Sequence, residues 1–262
     1  MARQRRQAAP QTDAQREVQQ PAPAPVVPAE VASGLEAIRS HGGRDEELYL
    51  SAENSFFEEA FMTDRIVTAE DNVRFIKKIE ALIRGSNEYK AYISYLRNDL
   101  GMWHCSFLPN LDMSMDEIGL EMHHCPINLY TMVDIVITHR LARGQPVTSL
   151  SVADEVMNMH FENKVGMVPL SRSAHKLVHA GNLTVHPLMV HGDYLGFLRS
   201  YPDGVSEELV AQLLAFINVD ETAVANSAAK IDGRLAQPRL RDDSVVPSRD
   251  EVNLLLMAPA GS

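Results

Sequence analysis

Apolar residues recur at helical spacing in several segments of the chain, between residues that start or stop helices. The clearest run covers residues 69–84, with Thr68 before it as a predicted N-cap and Gly85 after it as a stop. Its apolar positions lie three or four residues apart and are Val73, Ile76, Ile79, Leu82 and Ile83. This pattern predicts an amphipathic helix with one buried face.

Further helices and two short strands follow from the same signals. The predicted helices cover about residues 89–101, 129–144, 151–159, 171–180 and 209–217. The predicted strands cover residues 118–124 and 164–170, each next to turn-forming residues. The expected fold class is therefore α+β, mostly helical, with a small unit of two strands and one helix embedded among helices.

Composition divides the chain into five regions. The first region, residues 1–33, has too little apolar surface to offset its ordering entropy and is expected to be disordered. The last region, residues 231–262, is acidic and contains prolines, which indicates weak order. The regions are a Gln/Pro/Ala-rich tail at 1–33, a helical region at 45–117, the strand-containing core with a helical insertion at 118–200, a C-terminal helix at 201–230 and an acidic tail at 231–262.

Overall composition indicates a soluble protein. Hydrophobic residues make up 45% and charged residues 23% of the chain, and the apolar stretches are shorter than a membrane span. No secretory signal is recognisable, so we expect a cytoplasmic location in a bacterial or phage-infected cell and no membrane partner. Cys105 and Cys125 are expected to be reduced core thiols, although half of a structural zinc site with His104 or His139 is an alternative.

Histidines are concentrated in the central region, and nine of the ten lie between positions 104 and 191. His175 and His179 are four apart on a predicted helix, so both imidazoles leave the same face and can share one metal ion. A further ligand must come from another element, and the adjacent His123 and His124 at a predicted strand end are the natural donors. The pair can divide two roles only if the strand ends or bends there, as Pro126 suggests.

The segments EMHHCP and NKVGMVPLSRSAHKLVHAG resemble the motif of HNH (ββα-metal) endonucleases, over about residues 118–182. In this family a strand with two histidines precedes an asparagine, a second strand and a helix with His-x-x-x-His. The resemblance implies that His123, His175 and His179 bind the metal and that His124 is the general base. It also implies that Asn163 belongs to the catalytic motif by fixing the loop geometry.

The implied activity is metal-dependent hydrolysis of nucleic-acid phosphodiester bonds, in which His124 takes a proton from the attacking water. One divalent ion, Mg²⁺, Mn²⁺, Ni²⁺ or Zn²⁺, would stabilise the developing charge. Arg172 and Lys176 are candidates for contacts with flanking phosphates, or are solvated surface charges. The expected partner is nucleic acid, with DNA favoured, and a homodimer is plausible because paired sites would cut both strands.

The net charge of −11 weighs against strong binding of a polyanion. Residues 119–199 carry six basic and six acidic side chains, so this region is neutral without a metal. Weak affinity or a delivering protein partner is therefore expected. The rival hypothesis is a non-catalytic structural or interaction protein, such as a phage component, that retains the metal site for stability. A metal-dependent hydrolase of a small substrate is a third alternative.

Aromatic residues of the second helix, Tyr89, Tyr92 and Tyr95, could stack on bases, but at helical spacing they are more typical of a core. The sequence leaves both interpretations open.

Overall fold

The computed structural model describes residues 69–108, 119–230 and 239–257. Within them the fold is α+β and mostly helical, with a two-stranded sheet, so the expected fold class is confirmed at this level. The predicted N-terminal tail and the first residue of the first predicted strand lie outside the described residues. The helices are α1 (Ala69–Gly85), α2 (Asn87–Asn98), α3 (Leu129–Ala142), α4 (Ser149–Phe161), α5 (Arg172–His179), α6 (Tyr194–Ser200), α7 (Glu207–Ile217), α8 (Glu221–Ala229) and α9 (Arg249–Asn253).

Helices α1 and α2 form where the hydrophobic pattern predicts them. The face of α1 that carries Ile76, Ile79 and Ile83 is buried against α3 and α4. At the start of α2 the hydroxyl of Ser86 accepts a hydrogen bond from the backbone N–H of Tyr89, which satisfies a donor that the first helical turn leaves free. Tyr89 and Tyr92 are buried, so the core interpretation of these two aromatic residues is confirmed.

The sheet consists of β1 (Leu120–His124) and β2 (Met167–Ser171), which pair antiparallel. The register sets Glu121 opposite Leu170 and His124 opposite Met167. Immediately beyond the paired residues, the N–H of Cys125 donates to the carbonyl of Gly166 over 3.0 Å. A Cβ at Gly166 would lie 1.9 Å from the carbonyl oxygen of Cys125, so only glycine allows the strands to approach this closely.

Helices α3 and α4 fill the long connection between the two strands and pack against each other and against α1. The start of α4 differs from the sequence prediction, which began the helix at Ser151. The N-cap is Thr148, whose hydroxyl accepts from the backbone N–H of Ser151, while the Ser151 side chain bonds back to the N–H of Thr148. A serine at the third helical position thus takes the place of the usual acidic residue in the capping box.

Helix α5 follows β2 directly, with the Ser171 hydroxyl accepting a hydrogen bond from the backbone N–H of Ala174 as its N-cap. It packs against both strands, and β1, β2 and α5 together form what we call the ββα unit. All five residues of β2 are buried, so this strand is part of the hydrophobic core. Helix α5 lies over the face of β1 that carries His123.

The C-terminal part of the chain differs from the weakly ordered tail predicted for residues 231–262. Of this region, residues 239–257 have defined structure: the N–H of Arg241 donates to the carbonyl of Leu188 over 2.7 Å, and α9 buries Val252 against α7. Among the described helices, none is long and apolar enough to cross a bilayer.

Both cysteines are buried and free, as predicted for core thiols. Burial raises the pKa of the Cys125 thiol to about 12, so this thiol stays protonated at neutral pH.

Candidate metal centre

Strand alternation decides which β1 side chains reach the metal centre. Successive residues of a strand point to opposite faces, so Glu121 and His123 share one face while Met122 and His124 share the other. Met122 and His124 are buried, and Glu121 and His123 are only partly covered. The partly covered face of β1 is the one over which α5 carries its two histidines.

His123, His175 and His179 come together at this face, and one ligand atom from each lies within 4.8 Å of the other two. The Nε2 atoms of His175 and His179 are 3.0 Å apart, and the His123 ring centroid is 4.9 Å from each of the other two centroids. Two nitrogen ligands of a tetrahedral zinc ion are separated by roughly 3.4 Å, since each bond is about 2.0–2.1 Å. The three imidazoles are therefore close to the spacing that a single ion requires. We call them the three-histidine cluster.

Glu121 orients one member of the cluster. Its Oε2 atom accepts a hydrogen bond from Nδ1 of His175 over 2.5 Å, so Nε2 of His175 is the nitrogen that faces the cluster. A carboxylate behind a histidine is the usual support of a metal ligand, because it fixes the tautomer and makes the other nitrogen more basic. The position of Glu121 in the sequence does not reveal this contact, because His175 lies on a different element.

Two members of the cluster favour the neutral form. Burial, followed by the neighbouring His175 and His179, lowers the pKa of His123 to about 4. Burial and the neighbouring His175 also lower the pKa of His179. Metal binding requires unprotonated imidazoles, so the lowered pKa of these two histidines favours binding of an ion.

His124 does not join the cluster, which differs from the expectation that it faces substrate beside the metal. The strand stays regular and paired through His124, so the bend expected from Pro126 comes one residue too late to turn its side chain outward. The imidazole is 5% exposed, and burial, then the neighbouring His160, keeps its pKa well below the usual value. In this conformation His124 cannot accept a proton from water at the cluster.

A second histidine, which sequence reasoning left unassigned, explains how His124 is held. His160 donates from Nδ1 to the carbonyl of Val156 over 2.7 Å, so its Nε2 must accept. The Nε2–H of His124 supplies that proton over 3.0 Å. The ring of Tyr89 stacks on His124 and that of Tyr92 meets His160 edge-on, which completes the buried pair. No local sequence signal links positions 124 and 160.

The remaining predicted site residues surround the cluster or lie away from it. Arg172 is exposed and its Nε donates to Glu121 over 3.3 Å, so it is linked to the cluster through that carboxylate. Lys176 is exposed on α5. Asn163 takes a left-handed conformation with φ 58° at the end of α4, and its carbonyl accepts from the N–H of Asp193 over 2.8 Å. Asn163 thus fixes the loop before β2, and within the described part of the chain it makes no contact with the three histidines.

Arg84 is a positive charge that acts on the cluster electrostatically, and sequence reasoning missed it. It lies in the last turn of α1, outside the ββα unit, and its charge contributes to the lowered pKa of His123 and of His179, after burial and the neighbouring histidines. The sequence contains no sign of this, because α1 ends about forty positions before His123 and only packing brings the two together.

The residues present fit a divalent cation better than they fit an acid–base pair. Three imidazoles with a carboxylate behind one of them suit zinc, nickel or a similar borderline ion, while magnesium prefers oxygen ligands. Three protein ligands also leave a coordination position for water or another group. Neither cysteine belongs to a group of three or more candidate ligands within the described residues, so the alternative zinc site at Cys105 and Cys125 has no support there.

Comparison with known proteins gives one family. The family model described as bacteriophage G278-like virion protein matches residues 34–240, which is more than half of the chain and includes every residue of the three-histidine cluster. No curated protein matches the chain, and no solved structure does.

Proposed function

The chain belongs to the bacteriophage G278-like virion protein family, and from this premise we propose that it is a structural or interaction component of a phage particle. We further propose that its ββα unit has the HNH-like architecture and holds one divalent cation through His123, His175 and His179. The observation that carries the proposal is the convergence of three imidazoles from two elements, one of them supported by Glu121.

A bound cation has a structural task in this unit. A two-stranded sheet of five-residue strands and an eight-residue helix are each marginal by themselves in water. One ion held by β1 and α5 would cross-link them. An ion that binds only the folded state stabilises that state, by an amount that grows with the logarithm of the ratio of ion concentration to Kd. For a particle that must survive outside a cell, such a cross-link adds stability without a larger core.

Metal binding tests this proposal directly. The full-length protein is titrated with Zn²⁺ and Ni²⁺ by calorimetry, beside His175→Ala and the matched control His104→Ala, a partly exposed histidine outside the cluster. We expect one ion per chain in the wild type and in the control, and affinity at least about 100-fold weaker in His175→Ala. A wild type that binds no ion, or a His175→Ala variant that binds as tightly, would refute the site.

Phosphodiester hydrolysis is the second candidate function, and the open coordination position of the cluster favours it. A bound divalent cation supplies a Lewis acid that stabilises negative charge on phosphate oxygens. His179 is exposed, so the cluster is open to solvent on one side. The general base that the HNH resemblance implies is His124, and to act it would have to leave its hydrogen bond with His160 and turn to the opposite face.

The second candidate is tested by cleavage of supercoiled plasmid and of single-stranded DNA and RNA with Mg²⁺, Mn²⁺, Ni²⁺ or Zn²⁺. His124→Ala should abolish cleavage while the metal is retained, and His175→Ala should lose both. Equal cutting by wild type and His124→Ala would refute the base. If the wild type binds one ion and cuts nothing, the structural role is the one that stands.

A further inference from the structure

The side chain of Arg172, the first residue of α5, folds back over the start of β1. Its backbone N–H donates to the carbonyl of Gly119 over 2.9 Å, which anchors the start of the helix beside the strand. A Cβ at Gly119 would lie 3.1 Å from Nη2 of Arg172, so the guanidinium passes close to the chain at a position without a side chain. From there Nε donates to Oε1 of Glu121 over 3.3 Å. Arg172 is therefore held against β1 at two points, although its side chain is 67% exposed.

The two carboxylate oxygens of Glu121 have different partners. Oε1 accepts from Arg172, while Oε2 accepts from Nδ1 of His175 over 2.5 Å. The Glu121 side chain is half-buried and its terminal torsion is soft, so with one partner alone the carboxylate could rotate towards water. A second donor on the other oxygen fixes the plane of the carboxylate. Arg172, Glu121 and His175 thus form one line of hydrogen bonds that ends at the three-histidine cluster.

A positive charge next to this carboxylate has two effects on metal binding, and they have opposite signs. Arg172 repels a bound cation directly, so removing its charge would by itself tighten metal binding. Through Glu121 it acts in the other direction, because a carboxylate held in place behind His175 keeps Nε2 of that ring directed at the ion. The sign of the change in metal affinity therefore separates the two effects.

We infer that Arg172 is a positioning residue of the metal centre, which holds Glu121 in the orientation that supports His175. This inference rests on the proposed metal site and adds a residue that sets its affinity. It gives the guanidinium a task within the chain, whereas the sequence made Arg172 a candidate for contacts with phosphate. A residue that served only a phosphate would not raise the affinity for the metal alone.

The test is a double-mutant cycle on the full-length protein, with Zn²⁺ affinity measured by calorimetry in phosphate-free buffer. The cycle consists of the wild type, Arg172→Ala, Glu121→Gln and the double variant. Arg172→Lys is added because it keeps a charged donor at this position. Lys176→Ala is the matched control, since Lys176 is an exposed cation four positions later on the same helix.

With Glu121 present, Arg172→Ala should bind Zn²⁺ about three- to fivefold more weakly, a smaller loss than the one expected for Glu121→Gln itself. Arg172→Lys should retain most of the affinity. In the Glu121→Gln background, Arg172→Ala should cost nothing, because an amide has one acceptor oxygen and cannot serve both donors through separate oxygens. Lys176→Ala removes charge alone and should bind Zn²⁺ as the wild type does or slightly more tightly.

Two outcomes overturn the inference while the wild type binds Zn²⁺. If Arg172→Ala binds Zn²⁺ as tightly as the wild type or more tightly, Arg172 acts through its charge alone or not at all. If Arg172→Ala loses the same factor with and without Glu121→Gln, the loss comes from the start of α5 and not from the carboxylate. Failure of the proposed metal site is distinct from both, because the wild type itself then binds no Zn²⁺, and the inference falls with it.

Discussion

Acid should destabilise the metal-free protein because buried His160 is neutral in the folded state and takes up a proton on unfolding. Its ring is 1% exposed, and burial lowers its pKa from 6.5 to about 4. Between these two pH values the unfolded chain binds more protons than the folded one. The stability contributed by neutral His160 is therefore complete above pH 6.5 and is lost as the pH falls towards 4.

The size of the effect follows from the two pKa values. For a shift from 6.5 to about 4, His160 alone should cost about 2 kcal/mol of unfolding free energy between pH 7.5 and pH 5. That is a large part of the 5–15 kcal/mol typical of a domain. Urea unfolding in EDTA, followed by circular dichroism at both pH values, measures the loss in the wild type and in His160→Gln.

The unfolding free energy lost between pH 7.5 and pH 5 should be smaller by about 2 kcal/mol in His160→Gln than in the wild type. His123 and His124 are present in both proteins, so the difference reports on His160. Tyr92→Phe is the matched control, because it keeps the ring that contacts His160 and removes only a buried hydroxyl without a hydrogen-bond partner. The control should keep the wild-type pH dependence. If wild type and His160→Gln lose equal free energy, His160 is not a buried neutral histidine and the description of the pair is wrong.

Two further predictions concern the metal centre and its support. Glu121→Gln should weaken Zn²⁺ binding by about 10–100-fold, since the amide supports His175 less well than the carboxylate does, and a calorimetric titration that finds unchanged affinity would contradict this role. Gly166→Ala should destabilise the protein by about 2–4 kcal/mol, because the added Cβ meets the carbonyl of Cys125. At Gly85 an added Cβ has no atom within 4 Å, so the control Gly85→Ala should cost less than about 1 kcal/mol. Urea denaturation midpoints compare the two, and equal midpoints would show that the strands can separate at Gly166.

Local sequence was sufficient for most of the helices. The spacing of apolar residues in α1, the serine cap of α5 and the four-residue spacing of His175 and His179 all act within one or two turns. Local signals misplaced the start of α4, where Thr148 caps the helix and the sequence prediction began it at Ser151, and they did not predict α6, α8 or α9. The start of a helix depends on which of two nearby polar residues caps it. The pattern of apolar residues is almost the same for either cap.

Contacts between distant positions could not be predicted in this way. Glu121 reaches His175 and His124 reaches His160 only because β1 packs beside α5 and α4. Each contact joins residues more than thirty positions apart in the sequence, and periodicity within one element says nothing about them.

By itself the sequence determined the helical character of the chain, the two short strands and the pair of helix histidines, His175 and His179, that can share one ion, because these depend on period and spacing within single elements. The tertiary structure alone decided that His123 faces the cluster while His124 faces the core. The register of β1 against β2 sets the direction of every side chain along the strand, and a regular strand sends adjacent histidines to opposite faces.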